Sequence, residues 1–212
     1  MNEKSLAFFE RMANDPNSNQ NSVKMAKNSD FSKIDAEFIL KYAPQNASLL
    51  DLGSGTGLIV NKIYNQIAKI VAVEPFQKFS NYIIKAPNIE IINKTFDQFD
   101  TDEQFDLITS FGVLFYFNKE EATQIYKKYY KNLKKNGALI VKNQFSVKET
   151  VTIAGYSEEL KQDYFAQYRY LKEEIELLKE CGYQNVESFD IYPPECNRWE
   201  NTHFYALVAR SK

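Results

Sequence analysis

Two carboxylates and three glycines carry the densest chemistry in this chain. Asp51 stands in the apolar run 48–52, Gly53, Gly55 and Gly57 follow it with one residue between each, and Glu74 closes the next apolar run, 69–74. Glycines let the backbone turn tightly and let a ligand approach it, and the free N–H groups of a helix start attract negative charge. A dinucleotide loop of the G-x-G-x-x-G type needs its third glycine where Leu58 stands, so the spacing here is a different one, G-x-G-x-G. A carboxylate at Asp51 would repel a pyrophosphate and attract an ammonium group. A ligand bearing both the ammonium and the carboxylate of an amino acid complements an acidic strand end beside a helix N-terminus. Glu74, about twenty positions downstream, is placed to accept two hydrogen bonds from a ribose diol. The set favours a nucleoside with an amino-acid arm over a nicotinamide dinucleotide.

These residues need a scaffold, and the pattern around them supplies one. Short apolar runs at 48–52, 69–74, 89–93, 105–110 and 138–142 read as buried strands, with amphipathic segments at 58–67, 76–85 and 120–133 between several of them. Such alternation predicts a parallel sheet with helical crossovers. Ser32 and Asp35 resemble a capping box opening a helix over 32–43. Leu6, Phe9 and Met12 predict an earlier helix over 3–13, followed by the polar, Asn- and Ser-rich stretch 14–30, which reads as a mobile arm or lid. Past Gln144 a Tyr-rich segment reaches Tyr170, with its tyrosines at helical spacing. A helix over 171–181 with Gly182 as its stop then precedes two strands, 186–192 and 203–209, separated by a turn.

Residues 49–59, 71–75, 105–117 and 136–141 resemble four successive motifs of the class I (Rossmann-like) S-adenosylmethionine-dependent methyltransferases, in the right order. The resemblance extends over roughly residues 34–210. It implies an α/β three-layer sandwich on a seven-stranded, mostly parallel sheet with an antiparallel last strand, and S-adenosylmethionine as methyl donor. It also implies a donor site made of Asp51, Gly53, Ser54, Gly55, Gly57, Glu74, Pro75, Phe76, Thr95, Phe96, Ser110 and Phe111. One departure concerns the base: many members carry an acidic residue after the third strand, where this chain has Thr95. Either Thr95 and the backbone of Phe96 hold the adenine, or Asp97 does.

Open parallel sheets bind ligands beyond the carboxyl ends of their strands. The fourth run leads into the aromatic segment 111–117, without the Asn or Asp, two prolines and aromatic residue common in nucleic-acid amino-methylases. In small-molecule relatives a His often occupies the position of Tyr116, whose phenol could orient an acceptor. His203, the sole histidine, begins the last strand near Arg198 and Trp199 and is a candidate base for a hydroxyl. Both also have plain readings, as a packed ring and a surface imidazole. Tyr156, Tyr164 and Tyr168 could wall a hydroxylated ligand or simply pack.

The length of 212 residues suits one α/β domain, residues 32–212, behind an N-terminal helix and arm over 1–31, with an acceptor-side insertion at about 144–170. A formal charge of -2 weighs against nucleic acid as partner, and Lys127, Lys128, Lys131, Lys134 and Lys135 read as a solvated face. The apolar runs are too short to span a bilayer, so the expectation is a cytoplasmic protein, monomer or homodimer, without a membrane. Cys181 and Cys196 read as free thiols, and no HExxH or CxxC pattern suggests a metal. The acceptor expected is a small polar metabolite, methylated on oxygen or nitrogen, with a saccharide or its derivative among the candidates. Two rivals are a non-catalytic S-adenosylmethionine-binding regulatory module and a nucleotide-dependent oxidoreductase.

Overall fold

A computed structural model describes residues 3–23, 30–96, 98–157, 162–194 and 200–212. Its frame is a seven-stranded sheet ordered β3-β2-β1-β4-β5-β9-β8. The strands are β1 (Ser48–Leu52), β2 (Lys69–Val73), β3 (Ile89–Ile92), β4 (Phe105–Phe111), β5 (Leu133–Ser146), β8 (Gln184–Asp190) and β9 (Thr202–Arg210). From β3 to β5 every pairing is parallel, and β9 runs antiparallel to both β5 and β8. The chain order reverses at β1, where β2 lies on one side and β4 on the other, so a crevice opens at their carboxyl ends.

The central strands are buried on both faces, which explains why they read as continuous apolar runs. Leu50, Leu52, Ile108 and Val141 face one cluster, under α5 (Lys119–Tyr130) and α6 (Leu171–Glu180). Leu49, Ile70, Leu107 and Ile140 face the other, under α2 (Ser32–Leu40) and α3 (Val60–Ile63). Among the described residues no helix is long and apolar enough to cross a membrane.

Several elements differ from their sequence reading. The proposed Ser32–Asp35 capping box does not form: Phe31 occupies the N-cap without a side-chain bond, and Asp35 is buried against Tyr192 and Lys142. The capping box belongs to α5, where Asn118 accepts from the Glu121 N–H and the Glu121 carboxylate accepts from the Asn118 N–H. The crossovers over 58–67 and 76–85 contract to α3 and to α4 (Gln77–Ser80). Strand β5 runs four residues past its expected end, because β9 supplies antiparallel partners out to Ser146.

The Tyr-rich segment is a ribbon, β6 (Val151–Ser157) and β7 (Gln162–Tyr168), paired antiparallel and separate from the main sheet. A spacing of four fits one face of a strand as well as one face of a helix, and β-branched and aromatic residues tip it to strand. Tyr164, Ala166 and Tyr168 accordingly share its buried face, while Tyr156 is 61% exposed. Helix α1 (Glu3–Asn14) packs on β7 through Phe8, edge-on to Tyr164. The five lysines are largely engaged: Lys128 donates to the carbonyls of Phe96 and Phe99, Lys131 pairs with Asp100 and Lys134 with Asp106. Cys181 is a buried free thiol, and Cys196 lies outside the described residues.

Candidate active site

The glycine loop follows β1 directly and is drawn over the end of β2. The N–H groups of Gly53 and Ser54 both donate to the Val73 carbonyl, at 2.8 and 3.1 Å. Gly53 and Gly57 hold φ of +81° and +74°, and a Cβ on either would stand 2.6 Å from Val113 Cγ2 or 2.8 Å from Ile83 Cγ1. Handedness and space therefore both demand glycine.

Two buried carboxylates flank the loop. Asp51 accepts from the Thr109 hydroxyl at 2.6 Å; burial raises its pKa, and hydrogen bonds from Thr109 and Ser54 oppose the rise. Glu74 accepts from the Phe76 N–H at 3.0 Å and the Gly55 N–H at 2.9 Å. Burial pushes Glu74 up to about 7 against those two bonds, and the charge of Asp51 adds to the rise. Among the described residues no cation contributes to either shift. A ligand offering an ammonium group and vicinal hydroxyls supplies what this pair lacks. Asn93 fixes the neighbouring strand ends, its Nδ2 donating to the Glu74 carbonyl and the Ser80 hydroxyl, both at 2.8 Å.

Beside the loop, Phe96 is buried with its Cζ 3.3 Å from where a Gly53 Cβ would stand, stacked on Phe117 at 5.7 Å between ring centres. Its carbonyl already accepts from Tyr129 and Lys128, whereas the buried Thr95 hydroxyl has no hydrogen-bond partner. Asp97 lies outside the described residues. Pro75 and Phe76 are half-buried, with Phe76 at the N-cap of α4 and edge-on to Phe79. Ser110 and Phe111 point to opposite faces of β4. Ser110 lines a cavity of about 10 Å³ with Leu52, Tyr126 and Leu139, its hydroxyl unpartnered, and Phe111 lies under the Lys142 ammonium at 5.4 Å.

The first described part of the arm reaches the same loop. Thr56 donates to the Gln20 carbonyl at 2.6 Å, Tyr82 donates to the Ser18 carbonyl at 3.0 Å, and Val23 stands 3.6 Å from where a Gly55 Cβ would be. Residues 24–29 of the expected lid lie outside the described residues.

Beyond β4 the chain turns at Gly112 into a 3-10 turn, Leu114–Tyr116. Tyr116 is buried there between Phe115, Phe9 and Tyr164, with ring centres 4.2, 5.0 and 6.1 Å away. Arg169 braces the turn, donating to the carbonyls of Leu114 (3.0 Å) and Phe117 (2.8 Å) while its fork grips Glu174 at 2.6 and 2.8 Å. His203 is not beside Tyr116 in the sheet order: it faces Phe145 across β5–β9, stacks on Tyr205, and has Nδ1 3.7 Å from Asp190 Oδ2. Arg198 and Trp199 lie outside the described residues. Sequence reasoning missed Thr109, Thr56 and Arg169, since each partner lies at least 5 and up to 58 residues away. For Thr109 a signal existed, a hydroxyl inside an otherwise apolar strand.

Comparison with known proteins agrees with this geometry. Residues 49–137 match the family model of a methyltransferase domain. A phosphoethanolamine N-methyltransferase of Plasmodium falciparum (isolate 3D7) is 26% identical over 162 residues, covering 69% of this chain and 57% of that protein. The chain thus spans little more than half the length of that curated relative. The fold is shared with Haemonchus contortus phosphoethanolamine N-methyltransferase 1, solved with phosphoethanolamine and S-adenosylhomocysteine (TM-score 0.74, 17% identity, 97% of this chain and 48% of that one). It is shared also with Burkholderia thailandensis 1,6-didemethyltoxoflavin-N1-methyltransferase, solved with 1,6-didemethyltoxoflavin and S-adenosylhomocysteine (TM-score 0.70, 15% identity, 100% of this chain and 92% of that one).

Proposed function

We propose that this chain is a class I, Rossmann-like S-adenosylmethionine-dependent methyltransferase that transfers a methyl group from S-adenosylmethionine to a nitrogen of a small polar molecule, a reading supported by the methyltransferase-domain match over residues 49–137. The observation that carries this reading is the pair of buried carboxylates, Asp51 and Glu74, on either side of the glycine loop. When bound, S-adenosylmethionine supplies a methyl group on a positively charged sulfur, open to in-line attack by a lone pair. Asp51 and the loop between Gly53 and Gly57 hold the amino-acid arm, Glu74 accepts from the ribose hydroxyls, and Thr95 and Phe96 meet the base. The aromatic wall of Phe9, Phe115, Tyr116 and Tyr164 excludes water from the methyl group, and its π faces suit a cation. Alignment is the protein's main contribution, and an amine acceptor needs little activation.

The names of the three N-methyltransferases above support nitrogen. A hydroxyl acceptor, as on a sugar, is the second reading; it needs a base, and His203 beside Asp190 is the observation in its favour. Calorimetry with S-adenosylmethionine and its demethylated product tests the donor, and absence of heat with both overturns the reading. Label transfer from methyl-labelled donor into a metabolite extract tests the acceptor. Full activity of His203→Gln across pH 6 to 9 supports the amine, while a rate loss with unchanged donor binding supports the hydroxyl.

A further inference from the structure

Asn143 is the first residue of β5 beyond the last pair with β4, Phe111 and Lys142. At that point β4 has turned away through Gly112, whose N–H still donates to the Lys142 carbonyl at 2.7 Å. Gly112 holds φ +73°, and a Cβ there would meet nothing within 4 Å, so open space lies beside the strand. The pleat puts Asn143 on the face of Val141 and Phe145, which the ribbon and the 3-10 turn cover with Phe115, Tyr116, Tyr164 and Tyr168. Across the sheet its partner is Tyr205.

In that aromatic setting the Asn143 side chain is 1% exposed, and neither its Nδ2 nor its Oδ1 has a hydrogen-bond partner. A carboxamide with both ends unpaired is a costly thing to bury, and native folds retain few such groups. Ser110 and Thr95 each leave one hydroxyl unpaired; Asn143 leaves a donor and an acceptor together.

We infer that Asn143 recognises the methyl acceptor, pairing its carboxamide with an uncharged group that both donates and accepts a hydrogen bond, a hydroxyl or an amide next to the methylated atom. The inference rests on the methyl-transfer reading above. It assigns the site's polar selectivity to a residue at the end of β5, while Tyr116 and the ribbon supply the apolar walls. A hydroxyl or amide satisfies both ends of the carboxamide at once, whereas an anion would leave the Oδ1 facing negative charge.

Asn143→Leu, close to the native shape, is the test, with Asn143→Val as the second variant suited to a strand. Either protein should unfold at the wild-type temperature or above it, because an unpaired polar group has been removed. S-adenosylmethionine should bind within about twofold of wild type by calorimetry. Label transfer from methyl-labelled S-adenosylmethionine into a metabolite extract should fall at least about tenfold, the scale of one lost hydrogen-bonding group. Wild-type label transfer by both variants overturns the inference. So does a lower unfolding temperature in both, as expected if the carboxamide is satisfied inside the fold. A wild-type protein that binds the donor yet labels nothing overturns the methyl-transfer reading instead, and the unfolding temperatures then judge whether Asn143 is held for a ligand.

Discussion

At the β1–β2 end of the sheet, most of the groups that shape the ligand site come from one stretch, from Asp51 to Phe76, joined by Thr95, Phe96 and Thr109 from farther along the chain, and much of the work is done by backbone N–H groups. At the β4–β5–β9 end, Tyr116, Asn143, Tyr164, Arg169 and His203 come from four separate elements and the turns between them. The first end is fixed largely by the backbone geometry of the loop, with Thr109 holding Asp51 from β4. The second is fixed by packing and by buried ion pairs, Arg169–Glu174 foremost, so its chemistry depends on the whole assembly. A constant donor and a variable acceptor suit that division.

The strongest way to break the contrast is to remove Arg169. Its side chain and that of Glu174 are 4% and 1% exposed, and Arg169→Leu leaves a buried carboxylate without its cation. The expected loss is about 3–5 kcal/mol in urea unfolding. A loss under about 1 kcal/mol would show that the 3-10 turn is held by aromatic packing alone.

Next is the pH response of the donor end. Glu74 has a folded pKa of about 7, above its ordinary 4.5. Between those values the folded state binds more protons than the unfolded one, so stability falls as pH rises through that window. The contribution is fully present below 4.5 and gone above 7, on the order of 3 kcal/mol in all. Asp51, also raised, acts in the same direction. Glu74→Gln should flatten the profile in thermal melts from pH 4.5 to 7.5, and an equally steep profile in that variant would assign the effect elsewhere. Donor affinity should run the other way, rising with pH up to about 7, since ribose hydroxyls bond best to the ionised carboxylate.

Glu74→Ala should weaken donor binding by about 1.5–3 kcal/mol, the scale for hydrogen bonds to a charged group, with no further change in the acceptor's apparent Michaelis constant at saturating donor. An unchanged donor affinity would give the ribose to another residue. The smallest expected effect belongs to the arm. Thr56→Val removes the bond to the Gln20 carbonyl and should cost about 0.5–1.5 kcal/mol of arm closure. It should be read as faster hydrogen exchange at residues 15–23, slowed again by donor in the wild type. Equal exchange with and without donor would make the arm a fixed part of the wall rather than a lid.

How much was legible follows the same division. Strands β1 to β4, their alternation with helices, the helix stop at Gly182 and the last two strands with the turn between them are written locally, in apolar runs, glycine positions and alternation, while the antiparallel sense of the last strand comes from the family resemblance. The glycine loop and Glu74 are written locally too, because glycine spacing and a carboxylate at a strand end show in the sequence whatever their partners. Tertiary structure decided the rest. It took Asp35 from a helix cap into a buried bond with Tyr192, 157 residues away, since pairing a buried charge outweighs a surface cap. It made the Tyr-rich segment a ribbon, because α1 and the 3-10 turn offered a face for Tyr164 and Tyr168. It carried β5 on to Ser146 and left Asn143 unpaired beside Gly112. A polar residue's role depends on what stands opposite it, and a chain brings its distant parts into opposition only by folding.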